Sequence, residues 1–164
     1  VIGSLLGLYL YRRKFKLKSL IWILDRVVVP TSIGAFFVRI GNFFNSEIVG
    51  EYTNSNFGVV FLNRGENAAR HPAQLYEAIG YLILFFLLRQ LYKSAKKDKP
   101  GFLLGVFFTS MFIIRFLVEF LKESQGGFET YLPILSTGQW LSIPLILLGI
   151  YLMVRKTNTI TSEA

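Results

Sequence analysis

Arg39-Ile-Gly-Asn-Phe-Phe-Asn-Ser-Glu-Ile-Val-Gly50 closes a long apolar run, yet it packs an arginine, two asparagines and a carboxylate between positions 39 and 47. An arginine at the edge of a membrane span is costly unless it is partnered, so its default reading is functional. Asn42 and Asn45 each donate and accept hydrogen bonds, and Glu47 is placed to hold Arg39 or to take a proton. Gly41 and Gly50 permit tight turns or close backbone approach. A guanidinium beside amide donors makes a good phosphate receptor. The plainer alternative is an arginine snorkelling to the interface under a polar cap.

The surrounding composition decides the setting. The chain has 164 residues, 52% of them hydrophobic and 16% aromatic, with a mean hydropathy of +0.47. That is too apolar for an ordinary soluble domain. We expect an all-α polytopic membrane protein with about five transmembrane helices, the first one partial, and a long outer loop after the second. Residues 1–156 form a single helical domain in this reading, and 157–164 a polar cytoplasmic tail. There is no cysteine, which excludes disulfides, thiolate metal sites and a cysteine nucleophile within the chain. His71 is the only histidine, so a multi-histidine metal site is excluded too. We expect no metal and no organic cofactor.

The net charge of +8 comes from clusters beside apolar runs: residues 12–18, residues 93–99, and Arg155 with Lys156. Strict alternation of spans puts all three on one side, the pattern of cytoplasmic loops in contact with anionic membrane lipids. This reading leaves no nucleic-acid partner. The opposite face then collects the polar residues at the helix ends: Arg39, Asn42, Asn45, Glu47, Arg70, His71, Gln74, Glu77, Arg115, Glu119 and Gln139. Residues 56–61 are expected to form a short strand or hairpin arm within the outer loop. Pro72 suits the first turn of the next helix. Arg115 and Glu119 stand four apart, so a shared helix face and an ion pair are expected. Arginine, amide and carboxylate groups at headgroup depth fit an enzyme acting on a phospholipid, with arginines stabilising phosphate charge and a Glu or His as base. No serine-nucleophile elbow, P-loop or HExxH helix is present. A small transporter or channel subunit, with an Arg115–Glu119 pair lining a polar path, is the alternative of a different class.

The same stretches resemble the bacterial prolipoprotein diacylglyceryl transferases. The resemblance rests on the 39–50 segment, then Phe57-Gly-Val-Val-Phe61, Arg70-His-Pro-Ala-Gln-Leu-Tyr-Glu77, Arg115-Phe-Leu-Val-Glu-Phe120 and Ser136-Thr-Gly-Gln-Trp-Leu-Ser142, in that order. It implies an enzyme of the bacterial inner membrane, with its active face outward and its C-terminus cytoplasmic. The implied reaction moves the diacylglyceryl group of phosphatidylglycerol to the lipobox cysteine of a prolipoprotein signal peptide, giving a thioether. Carried over by position, Arg39, Glu47, Arg115 and Glu119 form the catalytic set, Arg115 holding the phosphate and Glu119 orienting it. Asn42, Asn45, Gly50, His71, Gln74 and Glu77 join Arg39 and Arg115 in binding phosphatidylglycerol. The family places a His-Gly-Gly motif and two further helices before the segment equivalent to residues 1–3. The expectation is therefore of a chain cut within a helix, whose activity requires the missing part. Val38 stands where the family favours glycine, Met111 where it has tyrosine, and Lys122 where it has arginine.

Overall fold

A computed structural model describes residues 2–14, 19–123 and 135–156. Five helices account for most of it: α1 (Ile2–Lys14), α2 (Leu20–Phe44), α3 (Ala73–Tyr92), α4 (Phe102–Val118) and α5 (Thr137–Val154). Four stretches are long and apolar enough to cross a bilayer: α2, α3, α5, and α4 with the 3-10 turn Glu119–Leu121 that continues it. The 13 residues of α1 rise only about 20 Å, short of a hydrocarbon core of about 30 Å. The architecture is that of an all-α, multi-pass membrane protein. The expected tail at 157–164 lies outside the described residues, as do residues 124–134.

Local chemistry sets the helix ends. Ser19 caps α2 by accepting from the Trp22 amide. Ser136 and Gln139 form a reciprocal capping box at the start of α5. Pro30 and Pro144 sit inside continuous helices. α2 runs on to Phe44, past the apolar run and into the polar 39–50 stretch. Arg39 and Asn42 therefore project from a helix end, roughly 29 Å along the axis from Leu20. Pro72 is the residue before α3 and not part of its first turn. The expected strand at 56–61 is reduced to an isolated bridge between Val59 and Arg70.

The helices pack tightly at the basic end. Val28, Leu84, Leu88, Leu103, Leu104, Val106, Phe107 and Leu152 form one buried cluster there. Asp25, the acidic residue that interrupts the second apolar run, belongs to this clamp. Its carboxylate is 1% exposed and accepts from the amides of Gly101 (2.6 Å) and Leu104 (2.8 Å). These are orphan donors of the α4 N-terminus, and a carboxylate there is also favoured by the helix dipole. Asp25→Ala strands both amides in a buried place. We expect a loss of about 1–3 kcal/mol, read as a lower unfolding midpoint in detergent. No change would mean that water reaches these amides.

α4 and α5 approach closely through glycine. A Cβ added at Gly105 would lie 2.7 Å from the Gly149 carbonyl oxygen. Toward the other end of the bundle, α2 and α5 stand apart, and a cleft opens between them.

Candidate lipid-binding site

The cleft has a volume of about 970 Å³ and is bounded by α2, α4 and α5, with Tyr81 of α3 at its back. Its walls are mostly apolar: Gly34, Ala35 and Val38 on one side, Leu141 and Leu145 on the other. Arg39, Asn42 and Arg115 supply polar groups at its outer end. From Arg39 to Thr31, the lining descends roughly 12 Å along α2. The result is a slot with a cationic mouth and a greasy depth.

Arg39 is buried by its neighbours and held twice. Its Nε pairs with Glu77 Oε2 at 2.5 Å, and its Nη1 donates to Asn42 Oδ1 at 3.3 Å. Asn42 Nδ2 in turn donates to Glu47 Oε2 at 2.9 Å. The expected Arg39–Glu47 contact is therefore replaced by an amide-bridged relay, and the carboxylate that holds Arg39 comes from α3. Glu77 is fully buried, and its second oxygen accepts from Lys122 Nζ at 2.9 Å. Lys122 also pairs with Glu119 at 3.1 Å. Charges thus alternate along Arg39, Glu77, Lys122 and Glu119.

The expected Arg115–Glu119 pair does not form. α4 gives way to the 3-10 turn at Glu119, and this tighter winding brings Lys122 beneath Glu119 three residues on. The Arg115 side chain is left facing the cleft, with no ion pair or hydrogen bond among the described residues. Glu119 lies against Gly138, where any side chain would collide with its carboxylate.

The remaining expected residues frame the site from outside the slot. Ser46 and Ile48 adopt left-handed backbone conformations, with φ of 56° and 55°. For β-branched Ile48 this conformation is strained. The two turns bring Ile48 to the cleft wall and return Glu47 beneath Asn42. Gln74 fixes this reversal by donating from Nε2 to the Glu47 carbonyl at 2.6 Å. Asn45 is exposed and ends α2. Gly50 does not line the slot but is where three segments cross. Its amide donates to the His71 carbonyl, and a Cβ would lie 2.6 Å from both that oxygen and the Leu121 oxygen. His71 is half-buried, its Nδ1 3.3 Å from the Tyr76 hydroxyl and outside the cleft lining.

Arg70 ties the outer loop down. It donates to Glu66 from Nε (2.6 Å) and to the Gly50 carbonyl from Nη1 (3.1 Å), and its guanidinium covers the Tyr52 ring. The hydrogen bond from Arg70 holds the Glu66 carboxyl below its ordinary value, and the bond from Arg64 acts in the same direction. The depressed value makes the sign definite. This anchor stabilises the loop above the ordinary glutamate pKa of about 4.3 and is lost as pH falls through the lowered one. Amide exchange at 50–70 should therefore rise on acidification below the usual carboxylate range, and Glu66→Gln should remove that dependence.

Sequence reasoning missed the roles of two residues that matter here. Lys122 is legible only as a lysine where the family has arginine, but it is committed to two carboxylates. Tyr81 was passed over as part of an apolar run, although it lies four residues after Glu77 on the same helix face.

Comparison with known proteins gives these observations a lineage. Residues 1–155 match the family described as prolipoprotein diacylglyceryl transferase. Relatives named phosphatidylglycerol–prolipoprotein diacylglyceryl transferase include one from Tolumonas auensis, 43% identical over 153 residues, 93% of this chain and 58% of that protein. One from Bacteroides fragilis is 46% identical over 153 residues, covering 93% and 54%. Another, from Chloroherpeton thalassium, is 44% identical over 159 residues, covering 96% and 59%. The chain thus spans between half and three fifths of the length of these relatives. It belongs to the prolipoprotein diacylglyceryl transferase family.

Proposed function

We propose that this chain carries the phospholipid site of an enzyme that moves the diacylglyceryl group of phosphatidylglycerol to the lipobox cysteine thiol of a prolipoprotein. The observation that carries this reading is the cleft itself. Two guanidiniums stand at the mouth of a slot whose depth is apolar, the pattern a phosphodiester with acyl chains would fill. In the reaction, the cysteine sulfur bonds to the diacylglyceryl carbon as that carbon's bond to the phosphate oxygen breaks. The products are a thioether and glycerol phosphate, and the thiol proton is released. Negative charge gathers on the departing phosphate, where Arg39 and Arg115 are placed to stabilise it. Asn42 and Glu47 hold Arg39 on one side and Glu77 on the other, so the guanidinium is oriented before the lipid arrives. The attacking thiol belongs to the substrate, in keeping with a chain that has no cysteine.

Basic clusters at the opposite end favour a cytoplasmic position for that end, which turns the site outward and the C-terminus inward. The transporter alternative loses its motivating feature, because Arg115 and Glu119 are not paired. The test uses the full-length protein in detergent with phosphatidylglycerol and a lipobox peptide. We expect thioether and glycerol phosphate in equal amounts. Modification of the peptide without glycerol phosphate release would overturn the reading.

A further inference from the structure

Tyr81 is 2% exposed, and its buried hydroxyl finds no acceptor among the described residues; Arg39, the side chain paired with it, can only donate. A buried phenol ordinarily finds one, because an unmade bond is expensive. The side chain lines the back of the cleft. Its charged neighbours are Glu77, Arg39 and Arg115. The arginines are donors only and offer nothing to the phenolic proton. The Glu77 carboxylate is engaged at both oxygens, by Arg39 and by Lys122. The hydroxyl therefore lacks an acceptor beside Arg115, which has no counter-ion among the described residues, and Arg39, which Glu77 meets at Nε. A group with several anionic oxygens would satisfy all three at once. The apolar walls below, from Gly34 and Ala35 to Leu141 and Leu145, identify that group as the head of a lipid and not a free phosphate.

We propose that the Tyr81 hydroxyl donates a hydrogen bond to the phosphodiester of a lipid lodged in the cleft, fixing the headgroup between Arg39 and Arg115. The assignment rests on the function proposed above and deepens it: Tyr81 is a headgroup-positioning residue.

The test is Tyr81→Phe in the full-length protein, which keeps the ring and its packing and removes one oxygen. Three quantities are read: affinity for short-chain phosphatidylglycerol in neutral detergent, KM and kcat for transfer, and thermal midpoint. We expect affinity to weaken, and KM to rise, on the order of tenfold, the effect of one hydrogen bond to a charged group. The thermal midpoint of the lipid-free protein should stay level or rise, because an unsatisfied buried hydroxyl has been removed. A purely structural role would lower the midpoint and leave affinity alone, and that result overturns the proposal. Unchanged affinity in Tyr81→Phe, with wild-type protein that binds and turns over the lipid, refutes the hydroxyl's role and spares the function. Wild-type protein that neither binds phosphatidylglycerol nor transfers refutes both. Glycerol phosphate binding as tightly as the lipid would mark a free-phosphate site and overturn the lipid assignment.

Discussion

Replacing Glu77 with alanine should destabilise the protein by about 3–5 kcal/mol. Its side chain has no exposed surface and stands between Arg39 Nε at 2.5 Å and Lys122 Nζ at 2.9 Å. Both cations are themselves nearly buried. Without the carboxylate, two like charges share a site that water barely reaches, and Arg39 has no other ion-pair partner among the described residues. Lys122 keeps Glu119, which is partly exposed, whereas Arg39 keeps only neutral partners among the described residues, the Asn42 amide and the Tyr81 hydroxyl. The cost should therefore be concentrated on Arg39, and removing the arginine as well should recover part of the loss. Unfolding in detergent by heat or denaturant measures both variants. A loss below about 1 kcal/mol would show that solvent penetrates to the pair and that its burial is incomplete.

Arg115→Ala should separate function from stability. Because Arg115 makes no ion pair among the described residues, its removal uncovers no buried partner. We expect the unfolding free energy to change by no more than about 0.5 kcal/mol, as for a substitution away from core features. Transfer should fall by about 10²–10³, the usual effect of losing one group that stabilises developing charge. Arg115→Lys should restore only part of it, since an ammonium is a point charge without the planar fork that spans two phosphate oxygens. Arg39→Ala would lose transfer as well, but it also strips Glu77 of one cation, so its activity loss mixes two causes. Full transfer by Arg115→Ala would remove the residue from the proposed phosphate contact.

The contrast between these two arginines also marks the limit of what the chain discloses before it folds. Hydropathic runs and basic clusters located the helices, because burial in lipid is a property of each segment alone. The polar residues of the outer face were legible for the same reason: charge near an apolar run is conspicuous. Partnerships were not. Arg39 finds Glu77 across a gap of 38 positions, and Asp25 caps a helix beginning 77 positions later. Nothing local encodes either meeting. Even the local inference failed at Arg115 and Glu119, because four-residue spacing implies a shared face only while the α-helix lasts. Here it gives way to a 3-10 turn at the second member of the pair. Gly50 invited a reading as a ligand contact, but its surroundings show a crossing of three backbones that leaves no room for a methyl group.

The glycine contact between α4 and α5 bears on which lipids the proposed site admits. α5 is fastened to α4 and its flanking turns at both ends: Gln139 donates to the Phe116 carbonyl, and Arg155 to that of Pro100. Across the slot it faces α2 with the cleft between them. The distance at which Gly105 and Gly149 let α5 lie against α4 therefore also sets how far α5 stands from α2. These glycines touch no part of the cleft, yet they act as its calliper. Bulk added between α4 and α5 would push α5 toward or along the opening and change the girth of acyl chain the proposed site admits, while Arg39 and Arg115 stay on α2 and α4.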